Sequence, residues 1–306
     1  MVFDAQGIDL DNWKEALDNG EAASPMAFFE KTNDLNLRNS IFVDNTATDK
    51  IASVYKNYLK NSISVVTCNK IACADSYVNY HELKMLSREY GASFLFETNV
   101  GAGLPIIDTL NNLIASGDQV RKIQAVLSGS LNFVFNYYQK GETFFDIVTQ
   151  AKDQGYTEPD PKIDLSGVDV ARKILILARE SGNVMELADI KNNPFLPQSS
   201  LDTDNVPDFF ESLKTNEAHF GEILEEASAK DCRLKYVAQY ENGEASVGLQ
   251  HIPSDHPFYN LEGSDNIVLF FTDRYPEQPL IVKGAGAGAD VTASGIFADI
   301  IRIGKK

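Results

Sequence analysis

Residues 41–46 read Ile-Phe-Val-Asp-Asn-Thr and residues 63–70 read Ile-Ser-Val-Val-Thr-Cys-Asn-Lys, two short apolar runs that end in polar residues. A third apolar run lies at Ser93–Phe96. Between these runs, residues 49–60 and 76–90 carry apolar side chains three and four positions apart, which is typical of amphipathic helices. Strands and helices alternate, and this order predicts a parallel sheet with right-handed crossovers.

Polar residues follow the predicted strands, including Asp44-Asn45-Thr46 and Asn69-Lys70. Ligands of parallel sheets bind beyond the carboxyl ends of the strands, so these positions are candidates for binding. Plain turns explain them equally well, because Asn, Asp and Thr are common turn formers. A dinucleotide-binding sheet usually opens with a strand and a G-x-G-x-x-G turn, and residues 1–60 contain no such turn. We therefore expect the chain to begin partway through such a domain.

The character of the sequence changes from about Gly103. Apolar residues at helical spacing recur in residues 104–116, 144–155 and 168–181. Runs that favour strands occur in residues 123–127, 234–239, 245–251, 267–272 and 279–282. These patterns predict a mostly antiparallel α+β domain. A loose stretch lies at residues 184–208, and a glycine–alanine run at 284–289 precedes a final helix near residues 291–303.

The composition is that of a globular protein with a strong negative charge. The 306 residues include 44 acidic and 27 basic side chains, which gives a formal net charge of −17. Nucleic acids and anionic membranes attract basic surfaces, so neither is expected as a partner. No apolar stretch approaches the roughly 18 residues of a membrane helix, and the first residues lack a signal-peptide pattern. Three cysteines without metal-ligand spacing fit a reducing compartment, and we expect a cytoplasmic protein.

One segment combines features that indicate chemistry: residues 155–161, Gly-Tyr-Thr-Glu-Pro-Asp-Pro, and the predicted helix after them. The two prolines predict a stiff loop that holds Glu158 in a fixed position. Ser166 and Asp169 have the spacing of a capping box, which predicts that a helix begins there. Asp169 and Lys173 are four residues apart on one face of this helix, a spacing that is also common in plain surface ion pairs.

The other positions of the same helix affect how this pair is interpreted. Apolar residues occupy most of its circumference, so we expect the helix to be buried. A buried charge needs a partner or marks a functional site. The residues alone therefore leave a structural ion pair and a functional pair as equal interpretations.

Residues 151–173, from Ala-Lys-Asp-Gln-Gly-Tyr onward to Asp169 and Lys173, resemble the signature of the homoserine dehydrogenases. Further blocks match this family in the same order, namely Val66–Lys70, Glu97–Pro105, Leu127–Asn132 and Gly284–Gly295. The resemblance covers nearly the whole chain and is closest to the C-terminal portion of bifunctional aspartokinase–homoserine dehydrogenases. The family's phosphate-binding first strand and glycine turn have no counterpart here, so the resemblance predicts a fragment of such an enzyme.

The resemblance implies a reaction, the NAD- or NADP-dependent interconversion of L-homoserine and aspartate 4-semialdehyde in threonine and methionine biosynthesis. Lys173 is implied as the acid–base residue, with Asp169 and Lys70 as further catalytic residues. Glu158 and Asp169 are implied to bind the substrate. Cofactor contacts are implied for Thr46, Lys70, Gly155, Glu158 and Gly288.

Two alternatives to this reaction remain open. The missing glycine turn favours a non-catalytic fragment that only dimerises and binds substrate. A different NAD(P)-dependent oxidoreductase with the same two-domain plan is the other alternative.

The block that begins at Glu97 implies a site for a monovalent cation. Its ligands would be the Glu97 side chain and the carbonyls of Val100, Ala102 and Leu104, hard oxygen atoms that suit Na⁺. An ordinary glycine-rich turn without an ion is the equal alternative.

The expected fold is α/β, with a truncated Rossmann-like parallel sheet and an α+β catalytic and dimerisation domain on a mixed sheet. Residues 1–104 and 284–306 would form the partial nucleotide-binding domain. Residues 105–283 would form the catalytic domain, which by resemblance also makes a homodimer or a higher oligomer.

Overall fold

The computed structural model describes residues 1–305, in which helices alternate with the strands of two sheets. The strands are β1 (Ile41–Asp44), β2 (Ser64–Thr67), β3 (Phe94–Leu95), β4 (Val120–Val126), β5 (Lys191–Asn193), β6 (Arg233–Glu241), β7 (Glu244–Ile252), β8 (Asp265–Thr272) and β9 (Leu280–Ala285). The first helices are α1 (Trp13–Asp18), α2 (Pro25–Leu35), α3 (Asp49–Ala52), α4 (Tyr55–Lys60), α5 (Ile71–Ala74), α6 (Tyr77–Glu89) and α7 (Ile106–Ala115). The later helices are α8 (Gly129–Tyr137), α9 (Phe144–Asp153), α10 (Pro161–Leu165), α11 (Val168–Glu180), α12 (Gln198–Leu201), α13 (Val206–Thr215), α14 (Glu217–Ala229) and α15 (Ala289–Gly304). Short 3-10 turns lie at Glu97–Asn99 and Leu187–Asp189.

The first sheet has the order β1-β2-β3, and its strands are parallel. β-Branched and aromatic residues dominate these short strands, and all four residues of β2 are buried. Helices α3 to α6 connect the strands, and Tyr55 and Tyr58 of α4 are fully buried. The ring of Phe42 stacks on that of Tyr58 with centroids 4.1 Å apart. The predicted parallel α/β arrangement is confirmed.

The second sheet has the order β5-β7-β6-β4-β8-β9 and is antiparallel except for the pair β5–β7. Asn242 and Gly243 join β6 to β7, and both have positive φ angles, 51° and 84°. This conformation matches the two-residue turn that Asn-Gly favours between antiparallel strands. The predicted mixed sheet is confirmed, with its one parallel pair at the edge.

Helix α11 lies in the main hydrophobic core, as its apolar circumference predicts. Every residue from Ile174 to Glu180 is buried, and the helix packs against β6 and β7 as well as α5 and α7. One cluster of buried side chains continues from the parallel sheet to the inner face of the mixed sheet. A smaller cluster on the other face includes Val237 and Leu269 together with Phe258 and Leu261.

Helix α15 follows β9 of the mixed sheet but packs against the parallel sheet, at β2 and the Glu97–Asn99 turn. Gly295 allows this close approach, because a Cβ there would lie 2.6 Å from the Thr98 side chain. The Asp299 carboxylate accepts a hydrogen bond of 3.1 Å from the Glu97 N–H. The last helix is therefore joined to the layer formed by the first hundred residues.

Some elements differ from the sequence prediction. The helix predicted over residues 49–60 is divided into α3 and α4, because the chain turns at Ser53 and Val54. The loose stretch 184–208 contains β5 and α12, and it runs into α13. Helix α1, which the sequence analysis did not predict, has no buried residue. None of the helices in residues 1–305 combines the length and apolar character needed to cross a membrane.

Candidate active site

Lys70, Asp169 and Lys173, three residues singled out in the sequence, lie together in the structure. The Lys173 Nζ lies 2.8 Å from the Asp169 Oδ2, and the Lys70 Nζ lies 3.5 Å from the Asp169 Oδ1. Lys173 also donates a hydrogen bond of 2.7 Å to the Leu127 carbonyl. The carboxylate is thus held between two ammonium groups that come from distant parts of the chain.

Burial and charge act in opposite directions on the Asp169 carboxyl. Burial raises its pKa, but the ammonium groups of Lys173 and Lys70 outweigh burial and hold the pKa well below its usual range. The Lys173 side chain is 12% exposed, whereas those of Lys70 and Asp169 are 31% and 40% exposed. Two cations share one carboxylate at a surface open to solvent, so the cluster favours a ligand oxygen on which negative charge develops.

The ammonium group of Lys173 retains one donor for a ligand. An ammonium has three N–H groups. Within residues 1–305, Lys173 directs two of them to the Leu127 carbonyl and the Asp169 carboxylate. The nitrogen is therefore fixed in place and can still donate a third hydrogen bond.

The start of α11 differs from the predicted capping box. Gly167 is the N-cap residue, and Ser166 is instead the C-cap residue of α10, with its hydroxyl donating to the Ile163 carbonyl at 2.7 Å. Gly167 has a φ of 73° and lies against Tyr236, since a Cβ there would be 1.9 Å from the Tyr236 hydroxyl oxygen. This contact places the first turn of α11, and with it Asp169, against β6.

A buried polar network that the sequence analysis did not identify holds the loop before Lys70. Asp44 at the end of β1 is 1% exposed and accepts hydrogen bonds from the Tyr55 hydroxyl and, at 3.1 Å, from the Asn69 amide. The Asn69 amide also donates to the Thr48 carbonyl at 2.9 Å. The only signal in the sequence was a polar residue after each strand, which is equally typical of turns.

Glu158 and Gly155 lie on an exposed loop next to the start of α8. The Asp164 carboxylate accepts from the Glu158 N–H at 2.9 Å and from the Ser130 hydroxyl at 2.8 Å. The Ser130 hydroxyl is also 2.7 Å from the Tyr156 carbonyl, so the loop is fixed at two points. The Glu158 side chain has no hydrogen-bond or ion-pair partner in residues 1–305, and nothing there bonds it directly to Lys173. Gly155 has a φ of 74° with open space where a Cβ would stand.

Thr46 and Gly288, the other two residues implied in cofactor binding, are exposed. Thr46 follows β1, and its N–H donates to the Asp44 carboxylate at 2.7 Å. Because β1 and β2 are parallel, Thr46 and Lys70 lie at the same edge of the sheet. Gly288 is the N-cap residue of α15 and has a φ of 118°, with open space around its Cβ position. No hydrogen bond within residues 1–305 joins Gly288 to Thr46 or Lys70.

Asn266 on β8 is a further polar residue that the sequence analysis missed. Its side chain is buried, and neither its amide nitrogen nor its carbonyl oxygen has a partner in residues 1–305. Gly286 lies directly against it, since a Cβ at Gly286 would stand 2.1 Å from the Asn266 amide. The register of β4 and β8 places Asn266 beside Leu127, whose carbonyl holds Lys173.

Glu97 is buried and caps helix α7. Its carboxylate accepts from the N–H groups of Ile107 and Asp108 at 2.7 and 2.8 Å. Burial raises the pKa of Glu97 to about 7, against the lowering effect of these two donors. Within residues 1–305 no cluster of three His, Cys, Asp or Glu side chains is arranged to hold a metal. The other residues of the implied cation site lie in the turn after Glu97, namely Val100, Ala102 and Leu104.

Comparison with protein families matches both parts of the chain. Residues 4–97 match the family described as homoserine dehydrogenase, NAD binding domain. Residues 105–301 match the family described as homoserine dehydrogenase. The two matches together account for most of the chain, on either side of the change in character near Gly103.

Two curated relatives cover almost all of this chain. It is 41% identical over 307 residues to bifunctional aspartokinase/homoserine dehydrogenase 2, chloroplastic, of Zea mays, an alignment that covers 99% of this chain and 34% of that protein. It is 39% identical over 308 residues to homoserine dehydrogenase of Schizosaccharomyces pombe, with 98% of this chain and 82% of that protein covered. The chain spans about a third of the length of the bifunctional relatives it matches.

A solved structure shares the fold. A hyperthermophilic archaeal homoserine dehydrogenase in complex with NADPH superposes with a TM-score of 0.71 at 30% identity, over 93% of this chain and 76% of that chain. The α/β fold and the family resemblance expected from the sequence are both confirmed. Two homoserine dehydrogenase family models match most of the chain, and one homoserine dehydrogenase relative is covered over most of its length, so this chain belongs to the homoserine dehydrogenase family.

Proposed function

We propose that this chain catalyses the reversible NAD- or NADP-dependent interconversion of L-homoserine and aspartate 4-semialdehyde. The observation that carries this proposal is the Lys173 ammonium, which is fixed by Leu127 and Asp169 and retains one free N–H. Family membership supports the choice of substrate, since the Schizosaccharomyces pombe relative is a homoserine dehydrogenase.

In this proposal Lys173 exchanges a proton with the substrate oxygen. Reduction of the aldehyde builds negative charge on that oxygen, which the free N–H stabilises and then protonates. In the oxidative direction the neutral amine accepts the hydroxyl proton. Asp169 holds the Lys173 Nζ in place, and Lys70 adds a second positive charge on the other side of the same carboxylate. A bound nicotinamide supplies or accepts the hydride.

Glu158 and Asp169 are proposed to bind the rest of the substrate. The Glu158 side chain is exposed, and its loop is fixed by the Asp164 carboxylate and stiffened by Pro159 and Pro161. A carboxylate without a partner suits the ammonium group of an amino-acid substrate.

The residues implied in cofactor binding fit the nicotinamide end of a dinucleotide. A backbone can approach a ligand closely at Gly155 and Gly288, where no side chain intervenes. Thr46 and Lys70 share the sheet edge at which ligands of parallel sheets bind. We propose contacts from Thr46, Lys70, Gly155, Glu158 and Gly288.

A Na⁺ site at Glu97 is also proposed, with the carbonyls of Val100, Ala102 and Leu104 as its other ligands. Hard oxygen atoms in a tight turn next to a buried carboxylate support it. An ion that binds only the folded chain raises its stability.

Glu97→Gln is expected to lower the free energy of unfolding by about 1–3 kcal/mol, because its amide nitrogen would face one of the two N–H donors that Glu97 now accepts. NaCl is expected to stabilise the wild-type chain more than choline chloride does, and the variant should lose this difference. Urea unfolding in the two salts measures both effects, with the exposed Glu222→Gln as control. Equal stabilisation by both salts in the wild type would leave Glu97 as a helix cap only.

We propose that residues 1–104 and 284–306 form the nucleotide-binding domain and that residues 105–283 form the catalytic and dimerisation domain. The outer face of the mixed sheet supports a homodimer, because Gln124, Gln239 and Phe271 remain partly exposed there. Sedimentation equilibrium tests the homodimer, and a monomer at all concentrations would exclude it.

The cysteines Cys68, Cys73 and Cys232 are free thiols, which supports a reducing compartment such as the cytoplasm.

The activity is tested by adding L-homoserine with NADP⁺ or NAD⁺ to this chain and following the absorbance of the reduced nicotinamide. We expect the nicotinamide cofactor to be reduced when L-homoserine is added and not when L-serine is added. Turnover of another hydroxy compound alone would favour a different oxidoreductase. If calorimetry detects no NADPH binding and no turnover occurs, the chain is non-catalytic and only dimerises and binds substrate.

A further inference from the structure

Helix α11 carries different charged groups at its two ends. Asp169 and Lys173 lie near its start, whereas the side chains of Arg179 and Glu180 at its end are 0% and 1% exposed. Arg179 lies six positions after Lys173, which is about 9 Å along the helix axis at 1.5 Å per residue. Arg179 and Glu180 therefore belong to a second cluster, away from the proposed substrate oxygen.

Arg179 joins three separate groups through its guanidinium. Its Nη1 donates to the Cys73 carbonyl at 2.7 Å, its Nε donates to the Met185 carbonyl at 3.0 Å, and its Nη2 lies 3.0 Å from the Glu186 carboxylate. Glu186 in turn accepts from the Tyr77 N–H at 2.9 Å. A guanidinium has its donors in a rigid plane, so it fixes the relative positions of the groups that it joins.

Helix α5 is consequently held by α11 at both of its ends. Lys70 is the N-cap residue of α5, and its Nζ faces Asp169 at 3.5 Å. Cys73 lies in the last turn of α5, and its carbonyl is bound by Arg179 at 2.7 Å. The orientation of this four-residue helix depends on both contacts. The position of the Lys70 backbone, from which the side chain extends, depends on them as well.

Glu180 makes a separate attachment that provides a comparison. Its carboxylate accepts from the Tyr80 hydroxyl and from the Lys84 ammonium, the latter at 2.9 Å, and both residues belong to α6. Glu180 and Arg179 are thus buried charges at the same end of α11. Of these two residues, Arg179 alone has a hydrogen bond to α5 within residues 1–305.

We propose that Arg179 is a positioning residue that sets the location of Lys70 relative to Asp169 and Lys173 by holding the far end of α5. The importance of Lys70 for turnover rests on the proposed function. The contact between Lys70 and Asp169 is a property of the folded chain, and it can be measured without substrate. If Arg179 had only a general structural role, the contact between Lys70 and Asp169 would not depend on it.

The Asp169 carboxyl reports the distance of the Lys70 ammonium, because that ammonium lowers the Asp169 pKa. The pKa can be followed by NMR in chain labelled with ¹³C-aspartate and assigned with Asp169→Asn. We expect Arg179→Gln to raise it as far as Lys70→Met does. The double variant Arg179→Gln/Lys70→Met should show no further rise in the Asp169 pKa, because both substitutions remove the same interaction, that between Lys70 and Asp169. The kcat for homoserine should fall by about 100-fold, the scale of a 1 Å misplacement, with a smaller change in KM.

Two variants serve as controls. Glu180→Gln removes the attachment to α6, and Arg121→Gln removes an exposed arginine that pairs with Asp273 at 2.6 Å. Neither should change the Asp169 pKa. If Arg179→Gln does not fold, Arg179→Lys and Glu186→Gln allow the same comparison, with smaller shifts expected.

An Asp169 pKa in Arg179→Gln equal to that of the wild type would overturn the proposal, as would additive shifts in the double variant. A shift of the same size in Glu180→Gln would also overturn it, because the effect would then reflect general loosening of α11. Absence of homoserine turnover in the wild type would refute only the proposed function, since the Asp169 pKa still decides the coupling.

Discussion

Replacement of Lys173 by methionine is expected to reduce homoserine turnover by about 10²- to 10⁴-fold, the contribution of a positioned acid–base group. Methionine retains most of the apolar stem, and the Lys173 side chain is only 12% exposed, so packing around it is preserved. The loss of Nζ leaves the Leu127 carbonyl without its donor, which costs about 1–3 kcal/mol. The fold should therefore survive while the activity is lost.

The measurement is kcat at saturating homoserine and cofactor, with thermal unfolding followed on the same samples. Lys191→Met is the matched control, because Lys191 pairs with Glu244 at 2.5 Å but is 64% exposed. It should retain wild-type turnover. A kcat for Lys173→Met within about tenfold of the wild type would rule out Lys173 as the acid–base residue, since such a group contributes at least about 10²-fold.

Gly167→Ala is expected to have the largest effect on stability among simple substitutions near the site. The left-handed φ of 73° costs an alanine about 1–2 kcal/mol. Its Cβ would also lie 1.9 Å from the Tyr236 hydroxyl oxygen, and such overpacking adds about 1–3 kcal/mol. Because α11 must shift to relieve the contact, Asp169 and Lys173 would move with it and turnover should fall.

Gly182→Ala separates the two causes. Gly182 lies just after α11, has a φ of 91°, and has open space where its Cβ would stand. It should show only the conformational cost of about 1–2 kcal/mol, with turnover unchanged. Urea unfolding of both variants measures the difference. Equal loss of stability in the two variants would mean that Tyr236 and its surroundings accommodate the added methyl group without loss of folding free energy.

The sequence predicts the elements whose signal is local. The apolar runs at residues 41–43 and 63–67 become β1 and β2. The burial of α11 follows from its apolar circumference, and the pairing of Asp169 with Lys173 follows from their spacing. Each of these depends on residues close together in the chain.

Contacts between distant residues could not be predicted in the same way. Ser166 and Asp169 have the spacing of a capping box, yet the packing of Gly167 against Tyr236 determines where α11 starts. The network of Asp44, Tyr55 and Asn69 uses polar residues that read equally well as turn formers. The meeting of Lys70 with Asp169 depends on how the two layers pack, a tertiary arrangement that no local pattern encodes.

The position of α15 has a consequence for how the protein is made. This helix covers β2 and the Glu97–Asn99 turn, but the ribosome synthesises it after every strand of both sheets. The layer that carries Thr46 and Lys70 therefore leaves the ribosome early and waits, with part of its apolar surface uncovered, until residues 289–304 emerge. During synthesis this layer therefore depends on chaperones or on its own local stability until α15 has been made.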